Sequence, residues 1–223
     1  PMDVSNHLQS LREEYPSDKE GQKEVYYNIR EQWNLGVGNQ RENPPDVGAR
    51  AATTIFLNKT CFNGLFRVNK GGLFNVPCNY TEVPSFPTEN ELLEVHEALK
   101  GVNIQVASFE HCEDLANENS FIYFDPPYRP LSDSSGFVSY SKDDFHDDDQ
   151  RKLADLYKRL DSKGSRMMLS NSDPRNSNSE DDFFDELYSE YNIKRIMARR
   201  SINSVGSGRG KITEIMVTNY RSH

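Results

Sequence analysis

Phe121-Ile122-Tyr123-Phe124-Asp125-Pro126-Pro127-Tyr128 is an aromatic, β-branched run that ends on a carboxylate, two prolines and one more aromatic. Four apolar residues of this type predict a short buried strand. Ligands of open α/β sheets sit at the carboxyl ends of strands, so Asp125 to Tyr128 lie where a site would form. Pro126 and Pro127 fix φ and carry no N–H, which stiffens the turn and leaves carbonyls unencumbered beside the Asp125 carboxylate. Such acceptors suit an amino group on a planar ring, taking its two hydrogens while Tyr128 stacks on the ring. Asp-Pro-Pro is also a plain turn signal, and the tetrapeptide alone fits both readings equally well.

Working outward, residues 102–107 read as a strand, followed by a short helical crossover into the quoted run. Residues 132–149 are rich in Ser and Asp and predict a loop. Residues 150–160 form an amphipathic helix through Leu153, Leu156, Tyr157 and Leu160. Residues 166–171 are a strand with a polar end, residues 181–188 a helix, and 193–198 and 212–219 two final strands. The loop between those strands, 199–210, is basic and Gly-rich. Strand–helix alternation from Val102 onward predicts a parallel α/β sheet with one antiparallel strand at its end.

The N-terminal half reads as helical. Pro1 ahead of Met2 looks like the remnant of a cleaved tag. A helix from about Ser5 carries Leu8, Leu11 and Tyr15 and stops near Pro16, and Ser17-Asp18-Lys19-Glu20 is a capping box for a second. Val25, Ile29 and Trp33 repeat along it as core residues, residues 36–45 are a polar connector, and 51–57 are helical. Asn69-Lys70-Gly71-Gly72 between apolar segments predicts a β-hairpin. That hairpin is basic and acid-free and sets Phe62 and Asn63 beside Gly64, which suits groove contacts and an inserted wedge in duplex DNA. An ordinary solvent hairpin with Phe62 tucked into the core fits as well. Thr88-Glu89-Asn90-Glu91 is another capping box, and Gly101 ends the helix it opens.

A net charge of −9 argues at first against a nucleic-acid partner, but the distribution reverses this. Residues 49–81 and 191–213 hold ten of the 26 basic residues, and all 35 acids lie outside them. Two basic stretches on an acidic body make a plausible phosphate-facing surface. Cys61, Cys78 and Cys112 are odd in number, and with five scattered histidines they argue against a zinc or disulfide scaffold. No apolar run approaches membrane-spanning length and no signal-peptide pattern opens the chain, so the simplest expectation is a soluble cytoplasmic protein.

With these residues in hand, the sequence resembles the DNA adenine methylase (Dam) family over nearly its whole length. The likeness rests on residues 58–77, Phe124 to Tyr128, Pro130-Leu131-Ser132, Leu169-Ser170-Asn171 and Arg199-Arg200-Ser201-Ile202. The long block is its specific part, because a bare Asp-Pro-Pro-Tyr also occurs in other amino-methyltransferases. The resemblance implies methyl transfer from S-adenosylmethionine to the exocyclic amino group of a flipped-out adenine in double-stranded DNA, with Asp125, Pro126, Pro127 and Tyr128 catalytic. It implies cofactor contacts at Asp3, Ser108, Phe109 and Asp125, although Ser108 stands where the family usually has Asp. It implies DNA contacts at Lys59, Phe62, Asn63, Leu65, Arg67, Pro77, Arg199 and Arg200, with Leu65, Arg67 and Pro77 at positions that read bases in relatives recognising GATC. Cys78-Asn79-Tyr80 departs from the family's aromatic-Gly-basic run.

The largest departure is the family's aromatic, Gly-rich cofactor loop and its preceding strand, which nothing here matches. The implied fold is therefore α/β, a Rossmann-like methyltransferase sheet with an antiparallel final strand, lacking its first strand. An inserted helical and β-hairpin DNA-recognition domain would complete it. Residues 1–33 would be the remnant of the N-terminal catalytic part, 34–95 the recognition insertion with its hairpin at 62–78, and 96–223 the catalytic domain. Possible partners beyond DNA are a cognate restriction endonuclease or a separate N-terminal segment. Two other readings stay open: a DNA-binding remnant or subunit that does not hold cofactor alone, and amino-methylation of another base such as cytosine.

Overall fold

The computed structural model describes residues 1–38, 46–80, 84–131, 145–199 and 211–221, the side chains of Gly38, Arg199 and Lys211 excepted. The chain forms two compact units that divide between Ile104 and Gln105. Among the described residues no helix is long and apolar enough to cross a membrane.

In the first unit, α1 (Met2–Glu14), α2 (Lys19–Gly38) and α3 (Val47–Thr60) pack around Leu8, Tyr26, Trp33, Phe56 and Leu57. α1 starts at Met2, ahead of the predicted Ser5. Asp18 rather than Ser17 opens α2, its carboxylate accepting the Gly21 N–H at 2.8 Å. α2 also runs on to Gly38 through residues predicted as connector, where Val37 packs against the core; residues 39–45 lie outside the described set. Asp46 caps α3 by accepting from the N–H groups of Gly48 and Ala49 at 2.7 and 3.1 Å.

Residues 61–78 fold back as a ribbon. It is closed by single bridges, Cys61 with Cys78 and Val68 with Phe74, rather than by continuous strands. Asn63 and Gly64 have φ of 57° and 61°, and this left-handed pair interrupts the pairing. At the tip the Asn69 carboxamide accepts the N–H groups of Gly71 and Leu73, while Gly72 takes the φ of 78° that glycine tolerates. Phe74, Val76 and Cys78 face inward. Asn34 of α2 exchanges two hydrogen bonds with the Phe74 backbone, at 2.7 and 3.1 Å, and the Tyr26 hydroxyl donates to the Val76 carbonyl at 2.7 Å. α1 and α2, allotted on sequence to the catalytic part, thus share a core with the ribbon. Thr88 and Glu91 form the expected capping box of α4 (Glu89–Ala98).

Residues 102–107 form no regular element and pair with no described strand. The alternation of Val102, Ile104 and Val106 has the period of a strand, yet a strand exists only where a neighbour takes its backbone groups. These side chains stay exposed instead.

The second unit follows through α5 (Cys112–Leu115). Its sheet comprises β1 (Phe121–Phe124), β2 (Arg166–Ser172), β3 (Asn192–Arg199) and β4 (Lys211–Thr218), in the order β1-β2-β4-β3. β1 and β2 are parallel, joined through α6 (Asp147–Ser162), whereas β4 runs antiparallel to both neighbours. Leu153, Leu156, Tyr157 and Leu160 of α6, with Phe184 of α7 (Phe183–Leu187), bury Phe124, Met167, Leu169, Ile215 and Val217 on one sheet face. β1 is less buried than its composition predicts. It lies at the edge of the described sheet, with Phe121 and Tyr123 59% and 52% exposed on the other face. α6 begins three residues earlier than expected, since Asp147, Asp148 and Asp149 suit the positive end of a helix. Residues 132–144 of the predicted loop lie outside the described set.

The Tyr188 hydroxyl is buried in this core with no hydrogen-bond partner among the described residues. Leaving such a group unpaired costs about 1–3 kcal/mol. Tyr188→Phe is therefore expected to raise unfolding stability by about 1 kcal/mol in urea titration. A clear loss would show that the hydroxyl is paired.

Candidate active site

Parallel pairing sets Phe124 beside Leu169, and so brings together the residues that follow them, Asp125 and Ser170. Ser170 Oγ donates to Asp125 Oδ1 at 3.0 Å. A hydroxyl has one hydrogen, so the 2.8 Å contact between Tyr123 Oη and Ser170 Oγ must run from tyrosine to serine. This relay fixes the Asp125 carboxylate through one oxygen and leaves Oδ2 without a donor among the described residues. The Pro126 carbonyl is likewise without one.

Tyr128 stands partly exposed next to these acceptors, its hydroxyl donating to Glu214 Oε2 at 3.4 Å. Burial pushes its phenol upward and the Glu214 carboxylate adds to the rise, so the hydroxyl stays protonated at physiological pH. Behind the turn, Arg129 makes a bidentate pair with Asp147 at 2.8 and 3.1 Å, bonds Asp181 at 2.8 Å and lies over the Phe183 ring. Sequence reasoning did not single out Arg129.

A pocket of about 260 Å3 opens at the same place, lined by Phe109, Tyr123, Asp125, Pro126, Pro127 and Phe145 among others. Phe109 and Asp125, both assigned from sequence, are thus brought together. Ser108 caps the short 3-10 turn that presents Phe109, accepting the Glu110 N–H at 3.4 Å. Phe145 meets Phe109 edge-on, with ring centroids 5.9 Å apart, and was hidden in sequence at the end of a Ser- and Asp-rich stretch. The walls are aromatic and apolar with one carboxylate acceptor among them, a lining that fits a planar heterocycle. Asp3 lies exposed in the first turn of α1, in the first unit.

The last turn of α3 presents Lys59 to solvent, and the ribbon of the first unit presents Phe62, Asn63, Arg67 and Pro77, with Leu65 half-buried. Phe62 is 53% exposed rather than tucked into the core. Arg67 Nε donates to Asn75 Oδ1 at 2.9 Å, which leaves the terminal nitrogens of the guanidinium free of described partners. Asn75 is an orienting residue that the sequence did not reveal. The Arg199 side chain and all of Arg200 fall outside the described residues.

Residues 3–202 match the model of the D12 class N6 adenine-specific DNA methyltransferases. The chain belongs to this family. It is 45% identical over 215 residues to the type II methyltransferase M.MjaIII of Methanocaldococcus jannaschii, covering 96% of this chain and 71% of that relative. It is 40% identical to the type II methyltransferase M1.LlaDCHI of Lactococcus lactis subsp. cremoris, covering 91% of this chain and 68% of the relative. The DNA adenine methylase of Escherichia coli K12 is 30% identical over 96% of this chain and 71% of its own length. The resemblance read from the Asp125–Tyr128 turn and the 58–77 block therefore holds. The four-stranded mixed α/β sheet agrees with the fold expected of an adenine-specific DNA methyltransferase.

Proposed function

We propose that the protein transfers a methyl group from S-adenosylmethionine to the exocyclic amino group of an adenine flipped out of double-stranded DNA. The observation that carries this reading is the end of β1, where Asp125 Oδ2 and the Pro126 carbonyl stand without described donors beside the Tyr128 ring. An adenine amino lone pair is delocalised into the ring and is a poor nucleophile. Two acceptors drawing on its hydrogens favour the pyramidal form, and they bind more tightly as positive charge develops on nitrogen. A base inside a duplex cannot reach them, so it must be extruded, with Tyr128 stacking on it and Pro127 stiffening the turn.

S-Adenosylmethionine, when bound, supplies an electrophilic methyl on a sulfonium. Phe109 and Phe145 are suited to its adenine ring, and Asp3, Ser108 and Asp125 are the polar residues this reading assigns to it. The first unit reads DNA through Lys59, Phe62, Asn63, Leu65, Arg67 and Pro77 at a GATC-like site, and Arg199 and Arg200 contact phosphate. With Nε held by Asn75, the two terminal nitrogens of Arg67 match the O6 and N7 acceptors of guanine.

Incubation with methyl-labelled S-adenosylmethionine and duplexes differing only in the target base tests the reading. Label should appear as N6-methyladenine, and label on cytosine would replace it with the other amino-methylation. Arg67→Ala is expected to reduce discrimination between a GATC duplex and a scrambled one by about 1–3 kcal/mol, with Asn75→Ala weaker in the same direction. Equal loss on both duplexes would remove Arg67 from sequence reading. The outer edge of β1, which pairs with no described strand, favours a second reading, in which the chain binds DNA without retaining cofactor by itself. Calorimetric titration separates the two: heat from S-adenosylmethionine supports the first, and its absence beside intact duplex binding supports the second.

A further inference from the structure

Three buried side chains that this chemistry does not use meet beneath the turn that follows β1. Asn171, near the end of β2, accepts the backbone N–H groups of Arg129 and Ser172 through Oδ1, each at 2.9 Å. Its amide nitrogen therefore faces the other way and donates to Gln150 Oε1 at 3.2 Å. That bond in turn aims Gln150 Nε2 at the Pro127 carbonyl, 3.1 Å away. Ser172 Oγ completes the hold by donating to the Arg129 carbonyl at 2.6 Å. Gln150 and Asn171 are each 0% exposed. Gln150 shares a helix face with Leu153, Ala154 and Tyr157, where an apolar residue would fill space without needing partners. The polar atoms are there for their directions, and each direction is set by the bond before it.

We propose that Gln150 and Asn171 are positioning residues, which clamp Pro127 and Arg129 so that the Asp125 carboxylate and the Pro126 carbonyl face the amino group to be methylated. This inference rests on the methyl-transfer reading of the site and deepens it. Because Gln150 occupies the Pro127 carbonyl, the Pro126 carbonyl is the one left open beside Asp125. Gln150→Glu keeps the shape but sets a carboxylate oxygen against the Pro127 carbonyl, and protonating that carboxyl restores a donor. Asn171→Asp attacks the link from the other end. It withdraws the donor to Gln150, whose amide can then no longer satisfy both neighbours.

The test compares both variants, and Gln150→Ala, with the parent protein in single-turnover methylation. The expected result is a rate lowered about 100-fold, the size of effect that misplacing a reacting group by about 1 Å produces, with KM for the duplex essentially kept. The Gln150→Glu deficit should open with rising pH relative to the parent and close as the introduced carboxyl protonates, whereas the Gln150→Ala deficit should be the same at every pH. Unchanged rates, or a Gln150→Glu deficit indifferent to pH, would overturn the proposal. Amide exchange gives a readout that does not require turnover. The Arg129 N–H should exchange faster in Gln150→Ala while the core Leu169 N–H does not change, and unaltered Arg129 protection would also overturn it. A parent protein that transfers no methyl group would sink the methyl-transfer reading, and Arg129 exchange would still decide the clamp.

Discussion

Asp125→Ala is expected to lower the rate of DNA methylation by at least about 100- to 1000-fold while leaving the protein folded and its duplex affinity intact. The carboxylate lies exposed at the end of β1, and its one hydrogen bond among the described residues comes from Ser170 on the strand beside it. Little structure therefore depends on it, and truncation removes an acceptor that matters most when nitrogen carries positive charge. Label incorporation into duplex DNA, alongside a thermal melt and a gel-shift titration, separates loss of chemistry from loss of fold or binding. Activity surviving in Asp125→Ala would refute the assignment of this carboxylate to the reaction.

Arg195→Met should have the largest effect on stability, about 3 kcal/mol. Asp173 is 1% exposed, and its carboxylate accepts Arg195 Nε at 3.0 Å and the Thr213 hydroxyl at 2.7 Å. Arg195 also grips Asp185 with two bonds, at 3.2 and 2.6 Å, and so ties β3 to α7. Taking away the guanidinium leaves a buried charge with neutral partners alone, which is a heavier loss than deleting the whole pair. Urea titration of Arg195→Met and of the double variant Arg195→Met/Asp173→Asn checks this. The double variant should recover part of the loss, and a single variant as stable as the parent would refute the buried charge.

What the sequence discloses follows from how local each signal is. The candidate site at the end of β1 is legible because a strand, a carboxylate and two prolines stand next to one another in the chain. α6 is legible because Leu153, Leu156, Tyr157 and Leu160 share one face. Gln150 has the opposite fate: a glutamine at the head of an amphipathic helix reads as solvated until the packing sets the Pro127 carbonyl above it. Arg129 is hidden for the same reason, since Asp147 and Asp181 are 18 and 52 residues away. The turn at Asn69 to Gly72 is plain in sequence, but the pairing of Arg67 with Asn75 across it is not, because it depends on the rotamers of both. Residues 102–107 mislead the other way. Periodicity reports what a segment could pair with, never whether a neighbour is present.

The open side of β1 bears on how long the protein lasts as well as on what it does. Its outward N–H and C=O groups, unpaired among the described residues and flanked by exposed Phe121 and Tyr123, can template any extended chain that drifts close. Four residues are a short template, which limits the hazard. Loss of native protein on storage would then follow collisions between folded molecules and rise with concentration, even where the unfolding equilibrium strongly favours the native state. The working lifetime of such a molecule would then be kinetic, governed by one edge of the described sheet rather than by the core.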